Sequence, residues 1–277
     1  VKVAISPVSV ANAGQDMETE LPGWNFGATV AAANKAWNDE LGNILFKTNN
    51  QTDKKIFYTS LYHSMIAPTI FCDVNGDYYG SDGKIYRKSG FKDYTVFSLW
   101  DTYRAAQPLM TLIHRDMLPD MAQTFLHIFA QQGKLPVWHL WGNETDCMVG
   151  NPGICVLADM LLKGVPMNKE EAYEAMKKSA MLDERGLKVL KEYGYSPYDK
   201  CVDSTETVSR GLEFALADWC VAQAAKELNK QKDYQYFLKR SKSYTKYFYK
   251  NTGFVRAVDS NGNFHEPFNP FRSVHRA

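Results

Sequence analysis

The sequence predicts an all-α fold, in which about eight helices pack as helical hairpins in a ring or a bundle. Eight segments place apolar residues three or four positions apart, which is the spacing of one helix face. Several of these segments end at a glycine, as at Gly133, Gly164 and Gly194. Strand-like alternation is confined to the first ten residues, and no internal repeat indicates a solenoid. The predicted fold class is therefore helical with minor β-structure.

The N-terminal segment predicts a β-strand over residues 1–10, because Val1, Val3 and Ile5 alternate onto one face. No second strand of similar quality follows for many residues. A lone strand leaves its edges unpaired. We therefore predict that its partner strands lie outside this sequence.

Two helices and a hairpin follow. Asn25 is predicted to cap a helix, whose apolar stripe consists of Val30, Ala33, Trp37, Leu41 and Ile44. A second helix begins at about Thr52 and ends before Pro68. Residues 73–83 superficially resemble a calcium loop, but they lack its glutamate and its glycine spacing. A β-hairpin that turns at Asn75-Gly76 is predicted instead.

Later helices are predicted from the same periodicity and from well-marked ends. Asn151-Pro152 opens one helix with a cap and a proline, and Asn168 with Glu171 resembles a capping box. The predicted segments are 101–114, 118–132, 152–163, 168–192, 204–229 and 231–250. The tail from Phe254 to Ala277 is predicted to be loop-like.

Composition excludes several function classes. The net charge of +1 favours neither nucleic acid nor an anionic membrane. Lysines and tyrosines interleave between Lys226 and Lys250, a pattern that suggests a nucleic-acid surface, but a solvated amphipathic helix explains it better. We expect no nucleic-acid partner. No apolar run is long enough to span a bilayer, no signal peptide is recognised, and the five cysteines lack zinc-ligand spacing.

Two loops carry the candidate chemistry. In the first, Asp101 is predicted to cap a helix that places Arg104 near it, beside Trp100. Charged hydrogen-bonding groups next to an aromatic face suit a sugar, although a plain cap with a surface ion pair has the same spacing. In the second, residues 133–153 hold two tryptophans, His139, Glu144 and Asp146. A carboxyl group flanked by indoles can serve as a general acid, or it can simply be solvated.

At these loops the sequence resembles glycoside hydrolase family 92, the bacterial calcium-dependent exo-α-mannosidases. Matching stretches occur in the family's order over nearly the whole chain. They are Phe-Tyr-Thr-Ser-Leu-Tyr-His (57–63), Asp-x-x-Gly-x-Tyr (73–78), Phe-Ser-Leu-Trp-Asp-Thr-Tyr-Arg (97–104), Gly-x-Leu-Pro-x-Trp (133–138), Gly-Asn-Glu-Thr (142–145), Met-x-Gly (148–150) and Leu-Glu-x-Ala-x-x-Asp-Trp (212–219). Together these motifs are specific, whereas any one alone is weak.

The resemblance implies a β-sandwich domain followed by an (α/α)6 toroid that carries the catalytic residues. Residues 1–22 would be the last strand of the sandwich and a linker, and residues 23–277 an incomplete toroid. An incomplete toroid exposes helix faces near both ends of the chain, and a non-native oligomer through these faces is predicted. The family also implies a periplasmic or extracellular location.

The resemblance further implies an inverting mechanism acting on mannose-containing glycans. Glu144 matches the family's general acid, whereas the general base and most calcium (Ca2+) ligands would lie beyond Ala277. Trp100, Asp101 and Arg104 fall where relatives line the terminal-mannose pocket, and Trp138 and Asn143 neighbour the acid. This sequence alone is then expected to be inactive.

One departure concerns the linkage. Tyr198-Asp199 stands where some α-1,2-selective relatives carry a His-Glu pair, so that α-1,2 or a related linkage is predicted without a choice between them. Two alternatives differ in class. One is a non-catalytic, carbohydrate-binding helical protein that keeps the aromatic pocket. The other is an unrelated helical scaffold with no concave pocket around Trp100, Trp138 and Glu144.

Overall fold

The structure is a computed structural model, and it describes residues 1–201 and 205–272. Most of its regular secondary structure is α-helical. The α-helices are α1 Val10–Glu20, α2 Phe26–Leu41, α3 Gln51–Ser64, α4 Leu99–Thr102, α5 Ala106–Ile113, α6 Leu118–Gln132, α7 Pro152–Leu162, α8 Lys169–Ala180, α9 Leu187–Tyr193, α10 Thr207–Glu227 and α11 Gln231–Arg240, followed by a 3-10 helix Ser241–Lys246. The strands are β1 Thr69–Ile70, β2 Tyr78–Tyr79, β3 Ile85–Tyr86, β4 Tyr94–Thr95, β5 Phe97–Ser98, β6 Trp138–Leu140, β7 Asn143–Glu144, β8 Phe248–Tyr249 and β9 Phe254–Val255. The predicted helical class is confirmed.

Helix α10 lies at the centre of the core. It packs against α7, α8, α11 and the 3-10 helix. Small buried residues on α10, such as Ala222 and Ala224, allow its neighbours to approach closely. Gly211 is the extreme case, because a Cβ atom there would lie 2.1 Å from the Tyr247 hydroxyl oxygen. The close packing of α10 fixes the side chains that it presents to the candidate site.

The predicted N-terminal strand is wrong. Residues 1–6 form no paired strand, and helix α1 begins at Val10. Two local contacts explain the difference. The Ser9 hydroxyl accepts a hydrogen bond from the Asn12 N–H at 3.1 Å and caps α1, and the buried Asn12 amide donates to Asp73 at 2.7 Å. The alternation therefore ends at Ile5, and the predicted linker contains a helix.

Most of the predicted helix ends are confirmed. Asn25 caps α2, α6 spans the predicted 118–132, and Pro152 begins α7. The segment predicted as 101–114 breaks between α4 and α5, and 168–192 breaks between α8 and α9. The segment 231–250 leaves α-helical geometry after Arg240. Of the predicted 204–229, α10 covers all but the ends, and residue 204 lies outside the described residues.

The predicted hairpin is found in part. The Gly76 N–H donates to the Asp73 carbonyl at 2.8 Å, and a single bridge joins Cys72 to Tyr78 across this turn. The two-strand ladder next to it, β2 with β3, turns at residues 80–83 instead. Gly76 has a φ of +82°, which suits glycine at this turn.

Apolar side chains are exposed along the N-terminal helices, as predicted for that end of the chain. Every residue of α2 from Phe26 to Glu40 is exposed, including Trp37. On α3, Ile56 is exposed as well. Association of copies through these faces stays a prediction. Within the described residues, no helix combines the length and the hydropathy that crossing a membrane requires.

The buried carboxyl group of Asp93 makes the stability of the fold depend on pH. Burial raises the pKa of this carboxyl group to about 7, against smaller opposing hydrogen bonds. Because the pKa in the folded state lies above that of an unfolded aspartate, near 3.9, stability is lost as the pH rises from about 4 to about 7. The substitution Asp93→Asn removes the titrating carboxyl group and therefore abolishes this loss of stability at higher pH. We expect the variant to exceed the parent in unfolding free energy by roughly 2–4 kcal/mol at pH 8 and to match it near pH 4.

Urea denaturation across this pH range measures the difference. Asp116→Asn is the matched control, because Asp116 is exposed in the same part of the fold. A difference between Asp93→Asn and the parent that stays constant with pH would contradict the prediction.

Candidate active site

A three-stranded sheet brings the two candidate loops together. Strands β5, β6 and β7 pair antiparallel in that order. Ser98 lies opposite Trp138, and His139 lies opposite Glu144. Because α4 continues directly from β5, the first loop begins at the strand that pairs with the second loop. The sequence predicted both loops, and the structure shows that they adjoin.

Glu144 is held by the main chain of its own loop. Its Oε2 atom accepts a hydrogen bond from the Val137 N–H at 2.8 Å. Its Oε1 atom accepts from the Trp138 N–H at 2.8 Å and from the Asp146 N–H at 3.0 Å. The side chain is half-buried. These bonds fix the direction of the carboxyl group, and Oε2 keeps a lone pair that no donor among the described residues occupies.

The segment after Glu144 is held by charges. Asp146 contacts the Lys134 ammonium group and lies 3.5 Å from the Arg185 guanidinium group. Lys134 also lies 3.4 Å from Glu184. Burial lowers the pKa of Arg185, whereas the Asp146 and Glu144 carboxylates act against that shift. The electrostatic surroundings of Glu144 therefore include a cation whose side chain is 12% exposed.

The first loop stacks an arginine on aromatic rings. The Arg104 guanidinium carbon lies 4.9 Å from the Trp100 ring centroid and 4.8 Å from that of Tyr103. The expected pairing of Asp101 with Arg104 is wrong. Asp101 lies inside α4 and accepts a hydrogen bond from the Ser98 hydroxyl, so that it does not cap the helix. Arg104 instead lies 3.5 Å from Glu213.

Glu213, on α10, was not predicted as a site residue. Its two oxygens accept from the Tyr103 hydroxyl at 3.3 and 3.1 Å. Burial raises the pKa of Glu213, and the neighbouring Tyr103, Arg104 and Trp100 act against that shift. The Trp100 Nε1 atom is buried, with no bond of full hydrogen-bond geometry among the described residues. The signal in the sequence that could have identified Glu213 is its position as a carboxylate among the small and apolar residues of α10.

The remaining predicted residues differ in accessibility. Trp138 is half-buried, and Asn143 is exposed at the tip of the β6–β7 hairpin. His139 is buried, and its Nε2 atom lies 2.9 Å from the Ser81 hydroxyl. Burial lowers the pKa of His139 to about 4. Trp141 packs its ring edge to face with Phe71 at 5.6 Å. Trp138, Asn143 and Glu144 thus lie in the sheet itself, and Trp100 follows strand β5 in α4.

The described residues contain no evident metal-binding site. Across residues 1–201 and 205–272, no three His, Cys, Asp or Glu side chains are grouped so that they could hold a metal ion. Calcium prefers six to eight oxygen ligands, mostly carboxylates and carbonyls. The carboxylates near Glu144 are instead engaged by cations, as Asp146 shows. The described residues alone therefore do not fit a calcium site.

The chain is similar in sequence and in fold to known glycosidases. Residues 12–276 match the family model of the glycosyl hydrolase family 92 catalytic domain. The structure is similar to a family 92 α-mannosidase from Bacteroides thetaiotaomicron solved with mannoimidazole, with 42% identity and a TM-score of 0.90 over 96% of this chain and 35% of that one. It is also similar to a family 92 inverting mannosidase from the same species, with 26% identity and a TM-score of 0.88 over 98% of this chain and 38% of that one.

Among curated proteins, an uncharacterised secreted glycosidase from Arthroderma benhamiae is 27% identical over 92% of this chain and 32% of its own length. The chain therefore spans about a third of the length of the relatives it matches. The family match, in contrast, covers all but the first eleven residues and the last one. With the adjoining loops around Glu144, it shows that the chain belongs to the catalytic domain of glycosyl hydrolase family 92.

Proposed function

We propose that these residues form part of the active site of an inverting exo-α-mannosidase, which removes terminal mannose from glycans with α-1,2 or related linkages. The observation that supports this most directly is the sheet that joins the loop of Trp100 to that of Glu144. A relative with 42% identity is an α-mannosidase solved with mannoimidazole, and another relative is an inverting mannosidase.

In this proposal Glu144 is the general acid. Inversion uses one protonated carboxyl group to protonate the leaving oxygen and one carboxylate, ~6.5–9.5 Å away, to activate water. The free lone pair on Glu144 Oε2 is available to carry that proton, because Val137 occupies only one position on this atom. The main-chain hydrogen bonds keep the carboxyl group in one orientation while the proton is transferred.

The other predicted residues bind the sugar. Trp100 and Trp138 offer apolar ring faces, which suit the C–H face of a pyranose. Arg104 keeps N–H donors free for hydroxyl groups, since half of its side chain is exposed. Asp101 and Asn143 are both exposed and supply an acceptor and an amide. Together these groups hold the terminal residue while Glu144 faces the glycosidic oxygen.

The general base and the calcium ligands are proposed to come from residues outside these 277. We also propose that the helices form part of an (α/α)6 toroid that begins near residue 23, and that the enzyme is periplasmic or extracellular. The secreted glycosidase of Arthroderma benhamiae supports that location.

Mannose release from a panel of α-linked mannobioses tests the function. We expect no release by the 277-residue chain and release, dependent on calcium, by a polypeptide extended past Ala277. Release by the 277 residues alone would place a base inside the chain, with Asp101 and Asp146 as the first candidates. No release from any α-mannoside by the extended polypeptide would overturn the proposal.

A further inference from the structure

Glu213 contacts both candidate loops at once. Its carboxylate accepts from the Tyr103 hydroxyl and lies 3.5 Å from Arg104, both at the end of the first loop. Its aliphatic part packs against Gly150 in the second loop, where an added Cβ atom would lie 2.5 Å from Glu213 Cβ. Glu213 belongs to neither loop, since it projects from α10 in the core. A rigid helix therefore supplies the contact between them.

Arg104 depends on this contact for its position. The side chain is 50% exposed, whereas that of Glu213 is 15% exposed. A long exposed arginine has many rotamers, and fixing one of them costs conformational entropy. Besides the two aromatic rings, its guanidinium group contacts the Trp100 carbonyl at 3.2 Å and the Glu213 carboxylate within the part of the chain that the structure describes. Of these groups, the Glu213 carboxylate carries the charge that attracts Arg104, and the Tyr103 hydroxyl fixes the position of that carboxylate.

We infer that Glu213 is a positioning residue, which holds the Arg104 guanidinium group over the Trp100 ring so that the N–H donors of Arg104 face hydroxyl groups of the terminal sugar. The inference deepens the proposed function and rests on it. In this assignment Glu213 acts through Arg104 and not on the substrate directly, because its carboxylate faces Tyr103 and Arg104 and its side chain is only 15% exposed. Its removal should therefore weaken the binding of the substrate more than it slows the chemical step.

The test uses Glu213→Gln in the extended, active polypeptide. The glutamine keeps the size of the side chain and loses the charge that attracts Arg104. We expect KM to rise about tenfold while kcat changes less than about threefold, because an interaction made in both the ground state and the transition state is weakened. Glu227→Gln is the matched control. Glu227 lies on the same helix in an exposed ion pair with Lys169, so that its loss should change neither constant.

A double-mutant cycle with Arg104→Met separates positioning from a general loss of structure, because methionine removes the charge that pairs with Glu213. If Glu213 acts through Arg104, Glu213→Gln adds little to KM once Arg104 is methionine. Independent, multiplicative effects of the two changes would overturn the inference, as would a fall in kcat at constant KM. Arg104→Met leaves α10 intact, and a KM unchanged by it would also overturn the inference, even if Glu213→Gln failed to fold. Failure of the proposed function is distinct, since the unchanged extended polypeptide would then release no mannose.

Discussion

Glu144→Gln should lower the kcat for hydrolysis of an α-mannobiose by about 10³-fold in the extended polypeptide, because general acid catalysis typically contributes 10²–10⁴. A sugar hydroxyl is a poor leaving group unless it is protonated as the bond breaks. Glutamine cannot supply that proton. The measurement is the steady-state rate of mannose release by the variant and by the parent.

The leaving group makes this prediction specific. A dinitrophenyl α-mannoside leaves without protonation, so that Glu144→Gln should lose little activity toward it. Glu184→Gln is the matched control, because Glu184 is an exposed carboxylate whose ion pair in the described part of the chain is with Lys134. An equal loss on both substrates would mean that Glu144 supports the fold of the loop rather than the departure of the leaving group.

Arg240→Met should lower the free energy of unfolding by about 3–5 kcal/mol, because it leaves the Asp218 carboxylate buried without its partner. Arg240 and Asp218 form a buried two-point pair, with Nε–Oδ2 at 2.7 Å and Nη2–Oδ1 at 2.5 Å. The same guanidinium group donates to the Ala180 carbonyl at 2.8 Å and so joins α11, α10 and the end of α8. Urea denaturation of the 277-residue chain at pH 7 measures the change.

Two further variants complete this test. Adding Asp218→Asn to Arg240→Met should recover part of the loss, because a neutral amide is less costly to bury than an unpaired carboxylate. Lys35→Met breaks an exposed pair with Asp39 and should cost less than about 1 kcal/mol. Similar losses for Arg240→Met and Lys35→Met would contradict the prediction.

Local signals in the sequence were sufficient for many elements of the fold. Asn25, Gly133 and Pro152 act within one helical turn, so that their effect is visible in the sequence itself. The N-terminal strand was predicted wrongly because the deciding contact is not local. Asn12 lies against Asp73, sixty-one positions along the chain, and alternation over five residues cannot outweigh that contact.

The candidate site shows the same division. Both loops were visible as clusters of aromatic and charged residues. The sheet that joins them was not, because strands of two or three residues have no measurable periodicity. Glu213 meets Tyr103 across 110 positions, and only the packing of α10 sets that distance. Spacing along the chain suggested Asp101 as the partner of Arg104, whereas the tertiary fold supplies Glu213.

The way in which Glu144 is held bears on how such an enzyme can diversify. Its anchors are the N–H groups of Val137, Trp138 and Asp146. Every residue except proline supplies an N–H, so that these anchors survive almost any exchange of the side chains at those positions. If Glu144 is the general acid, as proposed, drift in the neighbouring side chains would alter which glycan is accepted without changing the orientation of the carboxyl group. The proposed proton donor would then be insulated from selection on substrate preference.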